Sequence, residues 1–291
     1  MHARDRAAGL RVETRAGAIK EVEEGSTNMH DLPSEQPLYS FVIPAFNEAP
    51  RLSSGLNQLR SFVDQQVLTC EVVVVNDGST DDTAAVVRRW IREWPVVRLV
   101  DGPHRGKGGA VRAGIMAATG WYIALADADF AMPAAAFSLF TPELERFPVV
   151  IGSRERPGAH RFNEPTYRHV MGRVFNRLTQ FALLPGIQDT QCGFKVLRGD
   201  IAQALCRQQT IDGWGFDVEL LVIAHLRGHD IVEVPIPWTY ISGSRVNPIR
   251  DTLTMVRDLA RIWLNRQRGL YSVEAPAHEA STPLLSPARY E

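Results

Sequence analysis

The sequence has few cysteines and no long apolar run. Its three cysteines, Cys70, Cys192 and Cys206, form no Cys-x-x-Cys pair and are odd in number, which fits neither a disulfide framework nor a zinc site. We therefore expect a reducing cytoplasm as the setting. No apolar stretch is long enough for a signal peptide or a transmembrane helix. Any membrane contact is therefore expected to be peripheral, on the inner face of the cell membrane.

An excess of charge of one sign is also missing. The 32 basic and 33 acidic residues leave a formal net charge of -1, so no global basic field argues for a nucleic-acid partner. Lysine is scarce, and among the basic residues only Lys20, Lys107 and Lys195 are lysines. The two interior lysines therefore stand out, because each lies inside a motif described below.

What the sequence does contain is a regular alternation of strand-like and helix-like segments. At 291 residues and 45% hydrophobic, the chain can bury one sizeable core. Strands are predicted at 39–43, 72–75, 97–100, 149–152 and 231–235, and helices at 51–63, 81–90, 108–118 and 218–226. This order predicts an α/β fold with a doubly wound, mostly parallel sheet and flanking helices. We assign a catalytic domain to 38–245, an amphipathic C-terminal helix region to 246–271, and mobile tails to 1–37 and 272–291.

Two further helices are predicted to be amphipathic. Residues 154–168 have the composition of a long basic loop, and apolar residues then recur at helical spacing over 167–182. A second helix of this kind is predicted over 249–263. Such a helix can pack on its own domain, which is the simpler interpretation, or lie on a membrane surface. The presence of two such helices adds weight to the membrane alternative.

Acidic residues follow two apolar, strand-like segments, 72–75 and 123–126. Asp77 ends one apolar run, and Asp127 and Asp129 follow another. Acids at the carboxyl ends of parallel strands lie where open α/β sheets bind ligands. In an extended segment the side chains at i and i+2 point the same way, so Asp127 and Asp129 can converge on one cation that also contacts a diphosphate. A loop with two solvated acids is the alternative interpretation.

A glycine-rich turn follows the third predicted strand. Gly106-Lys107-Gly108-Gly109 opens a helix, so backbone N–H groups and Lys107 can approach phosphate or base oxygens at close range. The spacing is not that of a Walker A loop. A flexible turn without a ligand is the alternative.

Several motifs, taken in order, resemble a known family. Phe-Val-Ile-Pro-Ala-Phe-Asn-Glu at 41–48, Val-Asn-Asp-Gly-Ser-Thr-Asp-Asp at 75–82, Gly-Lys-Gly-Gly-Ala-Val-Arg at 106–112 and Ala-Asp-Ala-Asp at 126–129 resemble the family 2 inverting glycosyltransferases of the GT-A fold. The segments 152–154, 189–195, 214–219 and 233–238 are similar to the polyprenyl-phosphate hexosyltransferases, and to the dolichyl-phosphate glucosyltransferase branch more than to the mannose branch. The resemblance spans about residues 38–268.

The resemblance implies roles for individual residues. It implies a nucleotide-sugar pocket lined by Pro44, Ala45, Asn47, Glu48, Asp77, Gly78, Lys107, Asp127, Ala128 and Asp129. It implies Mg²⁺ or Mn²⁺ on Asp127 and Asp129, and catalytic roles for these two acids and Asp217. For the phosphates and the acceptor it implies Arg154, Gln191, Lys195, Trp214 and Arg245.

The chemistry of the acceptor affects the role of Asp217. A hydroxyl acceptor needs a general base, whereas a monophosphate with a second pKa of about 6 is already ionised at neutral pH. With a phosphate acceptor Asp217 need not be a base, and nearby arginines matter more. Arg154, Arg156 and Arg161 suit that need, as does Arg245; a solvated basic face is the alternative.

We therefore expect a metal-dependent inverting enzyme that transfers a hexose, most simply glucose from UDP-glucose, to a polyprenyl phosphate at the cytoplasmic membrane face. Three alternatives remain open on the sequence. One is a saccharide or other hydroxyl acceptor, with GDP-mannose as a further possible donor. A sugar nucleotidyltransferase would share the strand order and a metal aspartate, although its usual glycine-rich signature after the first strand is missing. The third is a nucleotide-sugar binder without catalysis.

Overall fold

A computed structural model describes residues 36–241 and 248–272, with backbone alone for 248–252. Apart from residues 36, 37 and 272, the predicted tails lie outside these ranges, as does Arg245. The strands in chain order are β1 (Tyr39–Ala45), β2 (Cys70–Asp77), β3 (Val97–Gly102), β4 (Tyr122–Leu125), β5 (Val149–Ser153), β6 (His160–Phe162), β7 (Lys195–Arg198), β8 (Ile231–Pro235) and β9 (Pro237–Thr239). The helices are α1 (Ala49–Gln66), α2 (Thr83–Glu93), α3 (Lys107–Ala117), α4 (Thr141–Leu144), α5 (Thr166–Ala182), α6 (Gly199–Gln208), α7 (Phe216–Leu226) and α8 (Pro248–Gln267).

Seven strands form the central sheet, in the order β3-β2-β1-β4-β7-β5-β8. β6 and β9 form a separate two-stranded parallel sheet. Within the central sheet β7 is antiparallel to both of its neighbours, and the other pairs are parallel. The first residue of β7, Lys195, therefore pairs with Leu125 and Ile151 near the carboxyl ends of β4 and β5. We call this side of the sheet the carboxyl edge and the opposite side the amino edge.

Helices cover both faces of the sheet. Because side chains alternate along a strand, Phe41 and Ile43 enter a core cluster with α1 and α2, while Val42 enters a second cluster with α3, α6 and α7. Both faces are thus buried, which explains the near-continuous apolar run of Val72 to Val75 in β2. The predicted doubly wound sheet is confirmed.

Some local predictions are wrong. The predicted basic loop at 154–168 contains β6 and the first turn of α5. β7 and α6 were not predicted, because a four-residue strand followed directly by a helix gives little periodic signal.

The helix predicted at 167–182 is present as α5, but most of its apolar stripe faces outward. Tyr167, Val170, Val174 and Leu178 of the stripe are exposed, and the helix packs on the domain through Phe175, which lies outside the stripe. The simpler interpretation, that this stripe packs on its own domain, is therefore wrong for most of it. Among the described residues, no helix has both the length and the apolar character that a membrane crossing requires.

Candidate active site

The carboxyl edge brings together residues from distant parts of the chain. Asp77 ends β2, Lys107 begins α3, and Asp127 follows β4. Arg154 follows β5, and Lys195 begins the antiparallel β7. The topology thus gathers two acids and three cations of the predicted site at one edge of the sheet, where α/β sheets bind ligands.

Lys107 and Asp127 form an ion pair at this edge. The Lys107 Nζ lies 2.6 Å from Oδ1 of Asp127 and 5.3 Å from the ring centroid of Trp214. Burial alone would favour the neutral form of both groups, but their mutual attraction outweighs it. The pKa of Lys107 is therefore raised and the pKa of Asp127 is lowered. Both side chains remain charged at neutral pH.

Asp127 and Asp129 lie in a turn, so the extended segment assumed from the sequence is wrong. β4 ends at Leu125, and the Phe130 N–H donates to the Asp127 carbonyl at 3.0 Å. One oxygen of Asp129 accepts from the Ala131 N–H at 3.1 Å, and the other lies 3.8 Å from a nitrogen of Arg51. Burial, and next the charge of Asp127, raise the pKa of Asp129.

The repulsion between the carboxylates of Asp127 and Asp129 is consistent with a site for a bound cation. A divalent ion would stabilise both charges, and hard cations prefer carboxylate oxygens. In the described part of the chain no group of three or more His, Cys, Asp or Glu side chains could hold a metal. A cation on Asp127 and Asp129 would therefore need further oxygens, such as those of a diphosphate.

Gly193 makes room for the Asp127 carboxylate. A Cβ atom added at Gly193 would overlap Oδ2 of Asp127, so the backbone of the segment before β7 lies against this acid. Any side chain at this position would push the carboxylate away from Lys107. Gly193 lies in one of the motifs noted in the sequence, but no role was predicted for it.

Asp77 anchors the loop that follows β3. Its carboxylate accepts from the N–H groups of Arg105 at 2.7 Å and Gly106 at 2.9 Å, and Nδ1 of His104 lies 2.7 Å from Oδ2. The His104 ring stacks on Phe46, with the centroids 4.1 Å apart. The structure therefore gives Asp77 a loop-holding role beside its predicted nucleoside-binding role.

The turns after β1 and β2 are tied to each other. Oδ1 of Asn47 accepts from the Thr80 N–H at 2.7 Å, and the Asn47 N–H donates to Oγ of Ser79 at 2.8 Å. Glu48 accepts two hydrogen bonds of 2.8 Å from Arg51.

The remaining predicted pocket residues lie close to these turns. Pro44 and Ala45 are at the end of β1, where it pairs with the end of β2. Gly78 has φ of +67°, which favours glycine, and Ala128 lies in the turn between the two acids.

The glycine-rich turn also has a packing role. A Cβ at Gly108 would lie 2.6 Å from the Phe216 Cβ and 2.7 Å from the Ile211 carbonyl oxygen. The Gly109 N–H donates to the Asp212 carbonyl oxygen at 3.1 Å. These contacts bring the segment that carries Trp214 against the start of α3 and so beside Lys107.

Arg154 is held by a fully buried acid. Its Nε and Nη2 donate to Asp189 at 2.7 and 2.9 Å, and its guanidinium lies 5.3 Å from the ring of Trp238. The Asp189 N–H donates to Glu233 at 2.8 Å. Although burial opposes ionisation, Arg154 lowers the pKa of Asp189 to about 2.

A second arginine of this region, Arg161, is likewise paired with acids, Glu155 and Glu164. For Arg154 and Arg161 the solvated-face alternative is wrong, whereas Arg156 is exposed.

Asp217 is paired with Lys195 rather than open to solvent. The Lys195 Nζ donates to Oδ1 of Asp217 and to the Cys192 carbonyl oxygen, both at 2.5 Å, and Lys195 is 1% exposed. The amide of Gln191 points to α8, where Nε2 lies 3.7 Å from Sδ of Met255. Lys195 therefore fixes the start of α7, and Gln191 contacts α8 instead of the centre of the site.

The acids and ion pairs at the carboxyl edge form the candidate site, and a comparison with protein families identifies the family of the chain. A family model described as glycosyl transferase family 2 matches residues 40–206. The chain belongs to glycosyl transferase family 2. The earlier resemblance is thereby confirmed, and the match covers β1 to β7 and most of α6.

Within this family, the chain is similar to dolichyl-phosphate beta-glucosyltransferases. One from Trichomonas vaginalis is 34% identical over 258 residues, which cover 84% of this chain and 75% of the relative. The Drosophila melanogaster enzyme is 34% identical, and the alignment covers 84% of this chain and 80% of the relative. The Homo sapiens enzyme is 32% identical, and the alignment covers 87% of this chain and 82% of the relative.

Solved structures share the fold. Mannosyl-3-phosphoglycerate synthase from Rubrobacter xylanophilus aligns with a TM-score of 0.61 at 18% identity, covering 80% of this chain and 76% of that one. A second structure is glucosyl-3-phosphoglycerate synthase from Mycobacterium tuberculosis in complex with Mn²⁺, UDP and glucosyl-3-phosphoglycerate. It aligns with a TM-score of 0.59 at 20% identity, and the alignment covers 79% of this chain and 80% of that one. The fold of this family 2 chain is the expected GT-A fold.

Sequence reasoning missed four residues of the candidate site. Arg51 contacts Asp129, His104 contacts Asp77, Asp189 holds Arg154, and Gly193 contacts Asp127. Asp189 and Gly193 could have been noticed, because both lie in the motif that ends at Lys195. Arg51 and His104 give no comparable signal, since each acquires its partner through the packing of separate turns.

Proposed function

We propose that the chain transfers glucose from UDP-glucose to a polyprenyl phosphate, with Mg²⁺ or Mn²⁺ as cofactor, at the cytoplasmic face of the cell membrane. The observation that carries the proposal is the Lys107–Asp127 pair beside Asp129 at the carboxyl edge. Support for the acceptor comes from the relatives, whose names specify dolichyl phosphate. Support for the donor and the cation comes from the fold neighbour that binds UDP and Mn²⁺.

On the donor side, the chain must stabilise a leaving diphosphate. Negative charge grows on that group as the anomeric C–O bond breaks, so preorganised positive charge accelerates the step. Asp127 and Asp129 would hold the divalent cation, which supplies Lewis-acid charge at the diphosphate. Lys107 stays protonated and lies between Asp127 and Trp214, where it can contact the phosphates or the sugar.

On the nucleoside side, Asp77 and the turns after β1 and β2 would form the pocket. The hydrogen bonds around Asp77 and Asn47 hold these turns together before any ligand binds. Such preorganisation lowers the ordering cost of binding a nucleotide. We therefore assign Pro44, Ala45, Asn47, Glu48, Asp77 and Gly78 to the uridine.

On the acceptor side, a phosphate oxygen would attack the anomeric carbon as the bond to the diphosphate breaks, which inverts the configuration. A lipid phosphate is already ionised at neutral pH and needs no general base. The pairing of Asp217 with buried Lys195 supports such an acceptor, because one carboxylate oxygen of Asp217 already accepts a hydrogen bond from Lys195 and the side chain is buried. Arg154, fixed by Asp189, is assigned to the acceptor phosphate.

The test is transfer of radiolabelled glucose from UDP-glucose into an organic-soluble product in the presence of polyprenyl phosphate. We expect labelled lipid with the natural chain and at least a ~100-fold slower rate with Asp127→Asn or Asp129→Asn. Asp64→Asn is the matched control, because Asp64 is an exposed acid near the end of α1 and away from the carboxyl edge.

Other outcomes of this assay would contradict specific parts of the proposal. Label that enters only water-soluble glycosides would show a hydroxyl acceptor. Label transferred from GDP-mannose in preference to UDP-glucose would show a different donor. Full transfer by the Asp127→Asn variant would remove the proposed role of the acidic turn.

A further inference from the structure

The outward side of α5 is an apolar surface. Its five most exposed members follow the spacing of one helix face and are Tyr167, Val170, Val174, Leu178 and Phe181. Phe181 is 96% exposed, although a phenylalanine normally buries most of its surface. A contiguous apolar surface of this kind marks a place where something binds. We call these five residues the α5 face.

Charge distinguishes between the possible occupants of the α5 face. The helix contains Arg168, Arg173 and Arg177 and has no aspartate or glutamate. Arg177 is exposed and lies three residues after Val174 and four before Phe181, so it borders the α5 face. A second copy of α5 would add its own Arg177 and no acid of the helix to this surface, whereas anionic lipid head groups complement Arg177.

The inner side of α5 is attached to the acceptor side of the site. Nη1 of Arg173 donates to Glu155 at 2.7 Å, and the Thr190 hydroxyl donates to Oδ1 of Asn176 at 3.1 Å. Glu155 and Thr190 directly follow the ion-paired Arg154 and Asp189 in the chain. A surface that covers the α5 face would therefore be separated by the width of one helix, about 10 Å, from the segments that carry the residues assigned to the acceptor phosphate.

From these observations we propose that the α5 face docks on an anionic lipid bilayer and lies in its interfacial region. The apolar side chains enter the boundary between head groups and acyl chains, and Arg177 reaches the lipid phosphates. The docking presents the site to an acceptor held in the same bilayer, and in this respect it rests on the proposed function. The binding itself needs neither a nucleotide sugar nor an acceptor.

The experiment is flotation of the full chain with vesicles of phosphatidylcholine and phosphatidylglycerol, and with vesicles of phosphatidylcholine alone. We expect the natural chain to float with the anionic vesicles and more weakly with the neutral ones. A variant with Leu178→Glu and Phe181→Glu should show at least a ~10-fold lower bound fraction, because each new carboxylate would have to enter the interface. Its unfolding temperature should be unchanged, since both side chains are exposed.

A matched control distinguishes the effect of the α5 face on vesicle binding from the effect of the added negative charge. Val67 and Leu226 are also exposed apolar residues, but they lie at the ends of α1 and α7, near the amino edge. A variant with Val67→Glu and Leu226→Glu adds the same charge and should float like the natural chain. Equal loss of flotation in both variants would overturn the proposal, because net charge would then account for it.

Two further results would overturn the proposal. The first is a natural chain that stays with the unbound fraction in the presence of anionic vesicles. The second is a dimer, measured by light scattering without vesicles, that Leu178→Glu and Phe181→Glu convert to monomers, because a second copy would then cover the α5 face.

A second measurement distinguishes failure of docking from failure of the proposed function. With a short-chain, water-soluble prenyl phosphate as acceptor, the α5 variant should transfer glucose at the rate of the natural chain. With an acceptor embedded in anionic vesicles its rate should fall along with its flotation. Absence of transfer to any acceptor would contradict the proposed function and leave the flotation result intact.

Discussion

At the scale of single residues, the two acids of the 127–129 turn have different electrostatic surroundings. Asp127 is paired with Lys107, whereas Asp129 is farther from its cation, Arg51, and experiences the charge of Asp127. Removal of the two charges should therefore affect folding in opposite directions, although both variants should lose transfer activity.

The Asp129→Asn variant is expected to be more stable than the natural chain by about 0.5–1 kcal/mol without divalent cations. The raised pKa of Asp129 means that the folded chain binds a proton more readily than the unfolded chain, so the ionised acid destabilises the fold at neutral pH. Asp127→Asn should lower stability, because the lowered pKa of Asp127 reports stabilisation that is present above its usual pKa of 3.8. Thermal unfolding at neutral pH measures both, and a shift of the same sign in the two variants would contradict the argument.

Two glycines of the site should respond differently to a methyl group. Gly193→Ala meets the end of the Asp127 side chain, which can move, so we expect transfer about 100-fold slower and a loss of stability no larger than that of Asp127→Asn, which removes the same pairing with Lys107. Gly108→Ala meets backbone carbonyl oxygens, so it should destabilise the fold by about 1–3 kcal/mol. Kinetics and urea unfolding of both variants test this. Unchanged kinetics in Gly193→Ala would show that the Asp127 position is unimportant.

At the scale of elements, the proposed acceptor side is held by ion pairs between the ends of strands. Asp189 pairs with Arg154 after β5 and donates its N–H to Glu233 in β8. Asp189→Asn should cost about 3 kcal/mol in urea unfolding, because Arg154 would be left half-buried without its partner. Asp200→Asn, in an exposed pair with Arg198, should change stability by less than about 1 kcal/mol.

The pH dependence of this ion pair follows from the lowered pKa of Asp189. The usual aspartate pKa is 3.8, and that of Asp189 is about 2, so its stabilising contribution is present above the higher value and is lost as the pH falls toward the lower one. The natural chain and the Asp189→Asn variant should therefore converge in stability as the pH falls through this window. A constant difference between them down to pH 2 would contradict the assignment.

The elements also show what the sequence could and could not predict. β1 and β2 were predicted because both are apolar runs followed by turns. Neither β7 nor its antiparallel direction could be predicted, because its four residues give little periodic signal. The amphipathic period identified α5 but could not tell whether its apolar side meets the protein or an external surface.

The candidate site could be predicted only in part. Its acids and lysines could be recognised from local motifs, whereas the Lys195–Asp217 pair joins residues that only the folded chain brings together.

At the scale of the whole molecule, metal and nucleotide binding should depend on each other. The two acids supply few ligands, so a cation needs diphosphate oxygens to complete its coordination. We expect Mn²⁺ alone to raise the unfolding temperature slightly, and Mn²⁺ with UDP to raise it by more than the sum of the separate shifts.

The control for this prediction is Asp129→Asn, in which the combined shift should be about as large as the sum of the separate ones. Chelation with EDTA should abolish transfer by the natural chain, and added Mg²⁺ or Mn²⁺ should restore it. A large shift with Mn²⁺ alone would indicate a complete protein site and contradict the expected dependence on UDP.

The position of β7 has a consequence for how enzymes of this architecture can change. β3, β2, β1 and β4 come from one continuous stretch of chain, β7, β5 and β8 come from the following stretch, and the two halves meet where β4 pairs with β7. Asp127 and Lys195 flank this seam. We therefore expect that the half assigned to the nucleotide can be kept while exchange of the second half introduces a new acceptor, provided that the β4–β7 register is kept.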